Sequence, residues 1–256
     1  MDSFNPENPP VFVAAPPRRV WKFWGTALWG LFAFGALFAG QVLVLVYVVL
    51  RHGSADLAET IRTAAGSGLT ISLSVILGLP AVLAALWFAI RFTSTSFADY
   101  LALRGTSWKN FVMGLLGLVG VLVLWELLSH VIGHEGSPGF MVDVLKSAQA
   151  DGALWLLVLA FCVAAPVAEE CFARGFLYRG WSETWLGPAG AIVLSSLVWT
   201  GLHLQYDLFF FGEVFTLGLW FGYLRYRSGS LWLTIVLHGL NNLGAVAQTI
   251  WLAGQN

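Results

Sequence analysis

Two adjacent carboxylates and an arginine stand in an otherwise apolar stretch of this 256-residue chain. Glu169, Glu170 and Arg174 belong to AAPVAEECFARGF, which runs from Ala164 to Phe176. Ionisable side chains at membrane depth are energetically costly, so they usually mark a functional site. A carboxylate beside an imidazole suits general-base hydrolysis, and the chain has five histidines that could meet these carboxylates.

The two carboxylates point in different directions if this stretch is helical. Glu170 and Arg174 are four residues apart, so they share a helix face and can form an ion pair. Glu169 is turned by about 100° from Glu170 and is left free for chemistry. Pro166 removes one backbone hydrogen bond and can open the helix beside the carboxylates. Glu169 is therefore the candidate reactive group and Glu170 with Arg174 its candidate support, although such pairs also occur as purely structural features.

Two later segments carry polar side chains at a similar depth. His238 and Asn242 are four residues apart on one predicted helix, and His203 ends another. A rise of about 1.5 Å per helical residue places Glu169 and Asn242 roughly 16 Å from one membrane face. By the same count His238 lies at roughly 10 Å and His203 at roughly 21 Å. This agreement predicts one buried polar site formed by Glu169, His203, His238 and Asn242.

Two chemistries fit this set of side chains. A carboxylate and an imidazole can activate a water molecule, and a second imidazole with an amide can stabilise an oxyanion. Alternatively, Glu169, His203 and His238 could hold a Zn²⁺ ion that keeps an open position for water. Two ligands on one helix, as in HExxH, are missing, which slightly favours a metal-free site. The cofactor is therefore either none or Zn²⁺.

Composition places these groups in a membrane. The chain is 58% hydrophobic and 11% charged, whereas roughly a quarter of a soluble domain is charged. We predict an all-α, polytopic transmembrane helical bundle, because no strand-like alternation is present. Seven apolar runs are predicted to span, and an eighth span would need insertion of the stretch 91–110. The seven lie at about 23–50, 69–90, 111–128, 154–178, 189–204, 209–224 and 231–252.

The remaining segments are arranged around these spans. Residues 1–20 hold five of the nine prolines and are predicted to be a disordered tail, followed by one membrane domain over 21–256. Residues 154–252 form its predicted catalytic core. Short helices are expected at the membrane surface within 91–110 and 140–148. The net charge of −1 favours no nucleic-acid partner, so we expect contact with the lipid bilayer and with a membrane-associated substrate.

Positive charges predict how the chain is oriented. With the N-terminus inside, ten of the 13 lysines and arginines fall in predicted inner segments and three in outer ones. Cytoplasmic loops of membrane proteins carry an excess of these residues. We therefore expect a cytoplasmic N-terminus and a site that opens towards the cytoplasm.

A second group of possible metal ligands lies apart from this site. Glu126, His130 and His134 recur at helical spacing and would share a face. Gly133 and Gly136, however, predict that the helix ends there. The predicted topology also puts this trio near the outer face, so we leave it out of the candidate site.

Three short motifs, in order, resemble those of a known family. EECFAR fits an EExxxR motif, WTGLH fits FxxxH with Trp199 where the family usually has Phe, and HGLNN fits HxxxN. The chain resembles the CPBP family of intramembrane proteases, which includes CAAX prenyl endopeptidases of the Ras-converting type and bacteriocin-processing and immunity relatives. The resemblance covers about residues 154–252, and the first three spans carry none of its motifs.

The resemblance implies a helical bundle with a cavity open to the cytoplasm and an endopeptidase acting near the C-terminus of a membrane-associated substrate, CAAX-like or other. It implies that Glu169 and His203 activate water, with His238 and Asn242 at the oxyanion. The family is often called a metalloprotease family, yet a metal-free glutamate mechanism fits the same residues. Its bacterial members make a bacterial cytoplasmic membrane the expected location.

Two other functions stay open at this point. A membrane scaffold or immunity factor of the same fold needs no reactive carboxylate, so its function should survive Glu169→Ala. A transporter could use the buried ionisable groups as a proton relay, but no inverted repeat relates the two halves of the chain. The order of the three motifs favours the peptidase.

Overall fold

A computed structural model describes residues 21–52, 56–134 and 139–253, and every regular element in those ranges is helical. The predicted all-α class is therefore confirmed for this part of the chain. The predicted disordered tail, residues 1–20, lies outside the described residues.

The first half of the chain forms seven helices in the described ranges. Several begin with a side chain that caps the first free backbone N–H groups, as Ser67 does for the fourth helix and Ser107 for the sixth. The fourth helix continues through Pro80. The helices are α1 Phe23–Leu37, α2 Ala39–His52, α3 Leu57–Gly66, α4 Gly68–Arg91, α5 Phe97–Leu101, α6 Trp108–Ile132 and α7 Gly139–Ala150.

The candidate motif region is one long helix of alternating geometry, Leu154–Ser182, which we call the composite helix. Two of its five segments are π-helical, a geometry that often occurs at functional sites. Its segments are α8 Leu154–Leu159, a π-helical turn Ala160–Ala164, α9 Ala165–Glu170, a second π-helical turn Cys171–Leu177 and α10 Tyr178–Ser182. The chain then continues through α11 Gly187–Thr200, a 3₁₀ turn Gly201–His203, α12 Leu208–Ser228 and α13 Leu231–Ala253.

Four described helical stretches are long and apolar enough to cross a membrane: Phe23–Arg51, Gly68–Arg91, Trp108–Ile132 and Leu154–Ser182. α11 has 14 residues, or roughly 21 Å, which is short of a hydrocarbon core of about 30 Å. α12 and α13 are longer, but α12 contains Glu213, Arg225 and Arg227 and α13 contains polar residues that include His238 and Asn242, and such side chains lower the mean hydropathy. The count of seven spans therefore stays a prediction.

The short elements differ from their predictions in two respects. The stretch 91–110 contains α5, whose five residues are too few to span, so this segment supplies no eighth span. The predicted surface helix near 140–148 is present as α7, but it also buries Val144, Leu145 and Ala148 beside the composite helix. α3 lies in a polar stretch for which no helix was predicted.

Loops that were predicted on the same side of the membrane do meet. At one end, the Trp181 indole donates to the Phe23 carbonyl at 3.2 Å and the Ser230 hydroxyl to the Arg104 carbonyl at 2.5 Å. At the other end α3 contacts α7, and His134 Nε2 lies 3.2 Å from a carboxylate oxygen of Asp207. α6 separates the two ends by 25 residues, or roughly 37 Å.

The composite helix lies at the centre of the bundle. It contacts α1, α4, α5, α11, α12 and α13, and Phe172, Phe176 and Leu177 are almost fully buried among them. The outer helices α1, α2 and α6 instead expose many large apolar side chains, as helices facing lipid do. The candidate reactive residues are thus carried by the most enclosed element of the fold.

Candidate active site

The predicted ion pair is present and fully buried. Glu170 Oε1 lies 2.9 Å from Arg174 Nη1, and both side chains are 0% exposed. Arg174 Nη2 also donates to the carbonyl oxygen of Gly218 at 3.3 Å. A side chain at Gly218 would press against Ser196, so the glycine lets α12 approach closely enough to accept this bond.

His238 joins the two carboxylates. Its Nδ1 lies 3.0 Å from Glu170 Oε1, and because an ionised carboxylate only accepts, this nitrogen carries the hydrogen. The other ring nitrogen, Nε2, lies 4.0 Å from Glu169 Oε2. The Glu170–Arg174 pair therefore fixes the tautomer of His238 and turns its free nitrogen towards Glu169.

Glu169 faces away from the buried pair, as the helical spacing predicted. Its side chain is 18% exposed, whereas that of Glu170 is fully buried. Its Oε2 accepts a 2.6 Å hydrogen bond from the indole Nε1 of Trp199 on α11. The more accessible carboxylate is thus held between an indole N–H and the imidazole of His238.

His203 reaches the same region without touching Glu169 directly. It ends the 3₁₀ turn that follows α11, and its Nδ1 lies 3.2 Å from the carbonyl oxygen of Trp199. Its Nε2 is left for other contacts. In the part of the chain that the structure describes, His238 is the histidine within ion-pair distance of Glu169. The expectation that Glu169 and His203 activate one water together stays a prediction.

Asn242 is used to attach α13 to the composite helix. The Ala165 N–H donates to the Ala160 carbonyl, five residues back, and Pro166 has no N–H. The Phe161 carbonyl would accept from residue 165 in an α-helix and from residue 166 in a π-helix, so it is left without a helical donor. Asn242 Nδ2 supplies the missing bond at 2.8 Å.

One turn earlier on α13, Gly239 packs against the same opened stretch. A Cβ atom at Gly239 would lie 2.6 Å from the Cys162 carbonyl oxygen, too close for any other residue without a shift. Pro166 also removes the donor that an α-helix would offer to this carbonyl. The proline predicted to open the helix thus provides the surface on which α13 seats His238.

Two cavities open from these side chains. A cavity of about 640 Å³ between α6, α12 and α13 is lined by Trp199, His203 and His238. A second of about 500 Å³, between α2, α4 and α7, is lined by Glu169, His203 and Asn242. Most other lining residues of both are apolar, so an apolar substrate segment could enter from either side.

The predicted zinc ligands are not gathered around one point. Within the described ranges no group of three or more His, Cys, Asp or Glu side chains is arranged to hold a metal ion. Glu169, His203 and His238 are the right donor types for Zn²⁺, and the Nδ1 atoms of both histidines are engaged with protein oxygens, as is usual for histidines that bind a metal through Nε2. The expectation of either no cofactor or Zn²⁺ therefore stays a prediction, and no step below depends on a metal ion.

The alternative trio on α6 is dispersed as well. The helix ends at Ile132 and is followed by Gly133 with a left-handed φ of 69°, as the glycine predicted. His134 lies beyond this end and pairs with Asp207. Glu126 lines the cavity of about 640 Å³ together with His203 and His238, and the exclusion of the trio from the site stays a prediction.

A comparison with protein-family models finds a match in this region. Residues 151–244 match the family model described as type II CAAX prenyl endopeptidase Rce1-like. This segment is therefore similar to an Rce1-like domain. The match covers a little more than a third of the chain and confirms the resemblance to the CPBP family, to which the Ras-converting type belongs. No curated protein matches the chain, and no solved structure does.

The matched segment, residues 151–244, contains every candidate site residue, and it shows two contacts that the sequence did not reveal. One is the indole bond from Trp199 to Glu169, for which the tryptophan in place of the usual phenylalanine was the only signal. The other is the Phe161 carbonyl that Asn242 caps, which Pro166 could have indicated. The family is one of proteases, and it supports a peptidase.

Proposed function

We propose that this protein is an intramembrane endopeptidase that hydrolyses a peptide bond of a membrane-associated protein or peptide. The observation that carries the proposal is the facing of Glu169 Oε2 and His238 Nε2 across 4.0 Å, beside two largely apolar cavities. The match of the surrounding segment to a prenyl endopeptidase family supports it.

The 4.0 Å gap suits one water molecule. Glu169 Oε2 and the free Nε2 of neutral His238 are both acceptors, and a water can donate one hydrogen to each. Two hydrogen bonds of about 2.8 Å that meet at roughly 100° span roughly 4.3 Å. In our proposal such a water, held between these atoms, is the nucleophile.

Proton movements then follow from the partners of each group. Glu169 takes a proton from the water as it attacks the scissile carbonyl. His238 is steadied through Nδ1 by Glu170, and its Nε2 accepts the second hydrogen of the water, which stays on the attacking oxygen as the tetrahedral intermediate forms. Asn242 keeps one amide hydrogen besides the one given to Phe161, and this hydrogen is the proposed donor to the oxyanion. The proton that Glu169 has taken is proposed to reach the leaving amine by way of His203, which lines both cavities, so that the carbon–nitrogen bond breaks and Glu169 is ionised again.

The proposed mechanism uses no metal ion. Treatment of active protein with a chelator should leave its activity unchanged. Stoichiometric zinc by elemental analysis, with activity lost on chelation and restored by added zinc, would contradict this part of the proposal.

The cavity linings define the proposed substrate class. Because apolar walls flank the site on both sides, the substrate should carry apolar residues or a lipid near the scissile bond. A CAAX-like C-terminus is one such substrate. We also propose that the protein resides in a bacterial cytoplasmic membrane, with the N-terminus and the opening of the site on the cytoplasmic side.

A defined peptide tests the proposal. Purified protein in liposomes is given a farnesylated peptide ending in Cys-aliphatic-aliphatic-X, and release of the C-terminal tripeptide is followed by mass spectrometry. Wild type and Glu183→Gln should release it, while Glu169→Gln should not. Comparison of membrane peptides from wild-type and Glu169→Ala cells extends the test to other sequences. Equal peptide profiles in both, together with no cleavage of the defined peptide, would refute a peptidase.

A further inference from the structure

The indole of Trp199 lies between Arg174 and Glu169, two charged side chains of the composite helix. The guanidinium carbon of Arg174 is 4.1 Å from the centre of the indole ring, over its face. At the edge of the same ring, Nε1 donates to Glu169 Oε2 at 2.6 Å. The side chain is buried, so both contacts are made away from water.

These two contacts strengthen each other. A cation over the face of an indole is attracted by the π electrons and draws electron density towards itself. The ring N–H becomes a better donor, and a donor to an ionised carboxylate already forms a short, strong bond. Arg174 can therefore influence Glu169 through the ring without touching it.

We propose that Trp199 is a positioning residue that holds Glu169 in the direction of His238 and couples it to Arg174. The proposal rests on the proposed function, since it takes Glu169 as the base. Phenylalanine, which the resembling motif has here, could keep the contact with Arg174 but has no N–H to offer Glu169. This chain therefore orients its base through a bond that the motif does not specify.

The surroundings of Trp199 fit a positioning role. Its backbone carbonyl accepts from His203 Nδ1 at 3.2 Å, so one residue contacts both Glu169 and His203. On the other side, a Cβ at Gly218 would lie 3.2 Å from its ring atom Cε3, so the ring is held against α12. Because the Trp199 ring is held on two sides, it can keep the Glu169 carboxylate in one orientation.

Kinetics of one substitution and a matched control test the proposal. Trp199→Phe removes the N–H and keeps an aromatic ring, and Trp220→Phe removes an indole bond to the Gly114 carbonyl, 3.1 Å long, away from the site. On the farnesylated peptide, Trp199→Phe should lower kcat about 10- to 100-fold with KM unchanged, the size expected for one hydrogen bond to a charged group. Trp220→Phe should leave kcat unchanged. Equal kcat values in both variants would overturn the proposal.

An NMR measurement gives a second readout that needs neither substrate nor a substituted tryptophan. The protein has 13 tryptophans, whose indole N–H signals can be compared between wild type and Glu169→Gln in detergent micelles. One signal should move upfield in Glu169→Gln, because a neutral amide accepts a weaker bond than a carboxylate. The same signal should not move in Glu183→Gln. The contact is refuted if no indole signal responds to Glu169→Gln.

The two proposals fail differently. If Glu169→Gln keeps full activity, the proposed function is wrong, whatever the indole spectrum shows. If Glu169→Gln is inactive while Trp199→Phe is fully active, only the positioning role is wrong.

Discussion

Two acid–arginine pairs follow one another along the chain, the first inside the composite helix and the second where it ends. Glu170 and Arg174 are 2.9 Å apart and 0% exposed, whereas Arg179 and Glu183 are 2.7 Å apart with side chains 31% and 42% exposed. Spacing in sequence and bond length are nearly the same. The order of acid and arginine is reversed between the pairs, but the larger difference is burial, which decides how much each pair contributes to stability.

The exposed pair gains little from its contact, because water solvates both charges and competes with the bond. The buried pair cannot lose one member without leaving a bare charge in an apolar interior. The buried pair also orients His238 through Glu170 and reaches α12 through Arg174. A short distance is therefore a poor guide to importance when two pairs differ in exposure.

The largest expected effect concerns the carboxylate that belongs to neither pair. Glu169→Gln should lower peptidase activity roughly 10²- to 10⁴-fold, the usual contribution of a general base. The melting temperature should hardly change, because an amide keeps the shape and can still accept from Trp199. Activity on the farnesylated peptide checks the expected loss of catalysis, and thermal unfolding in detergent checks the unchanged melting temperature. Full activity would remove Glu169 from the mechanism.

The next largest expected effect is on the free energy of unfolding, and it follows from the difference in burial between the two pairs. Glu170→Gln should cost roughly 3–5 kcal/mol, because it leaves Arg174 buried and unpaired. The matched change in the exposed pair, Glu183→Gln, should cost less than about 1 kcal/mol. Unfolding of both variants under the same detergent conditions gives the two values. Equal losses would mean that burial does not distinguish the pairs.

A smaller loss is expected where α13 meets the opened helix. Asn242→Ala leaves the Phe161 carbonyl without a donor, which should cost about 1–3 kcal/mol. Adding Pro166→Ala should recover part of this, because position 166 then has an N–H to offer the nearby carbonyls. Asn241→Ala is the comparison variant, because it removes the bond that Asn241 donates to Asn242 Oδ1 but keeps the Asn242 amide hydrogen that reaches Phe161. Strictly additive losses in the double variant would contradict this account.

The last prediction carries the smallest expected effect and concerns the side of the membrane on which the Arg179–Glu183 pair lies. In a chain whose Cys162 and Cys171 are replaced by Ala, Glu183→Cys should react with an impermeant thiol reagent only after the cells are permeabilised. Gln149→Cys, at the opposite end, should react in intact cells. The reason is the excess of positive charge at the proposed cytoplasmic end. The reverse pattern would invert the orientation without affecting the energies above.

Much of the fold could be predicted because apolar runs and helix-ending residues are local signals. The helices α4, α6 and α13 begin and end within a few residues of their predicted spans, and α6 ends where Gly133 indicated. α3 was not predicted, because its ten residues lie in a polar stretch and gain their packing partly from α4 and α7.

The composition of the site was predictable, but its contacts were not. Helical spacing separated Glu169 from Glu170 and paired Glu170 with Arg174, because those relations are internal to one helix. Depth estimates could bring two histidines near the carboxylates but could not decide which would touch them. That choice depends on how α13 is seated and how the 3₁₀ turn points His203, and both are tertiary features.

The two π-helical turns determine how much of the backbone must be copied to rebuild this site in another protein. They bracket α9, and each holds the helix in a wider coil than α-helical geometry provides. Copying only the letters EECFAR onto an ordinary helix would keep the spacing of Glu170 and Arg174 but would lose the widened turn whose Phe161 carbonyl accepts from Asn242. Deleting a single codon within Ala160–Ala164 would rotate the carboxylates by about 100° relative to the start of the composite helix. The smallest segment that could carry the site into another protein is therefore the stretch from Ala160 to Leu177, together with the face of α13 that packs against it.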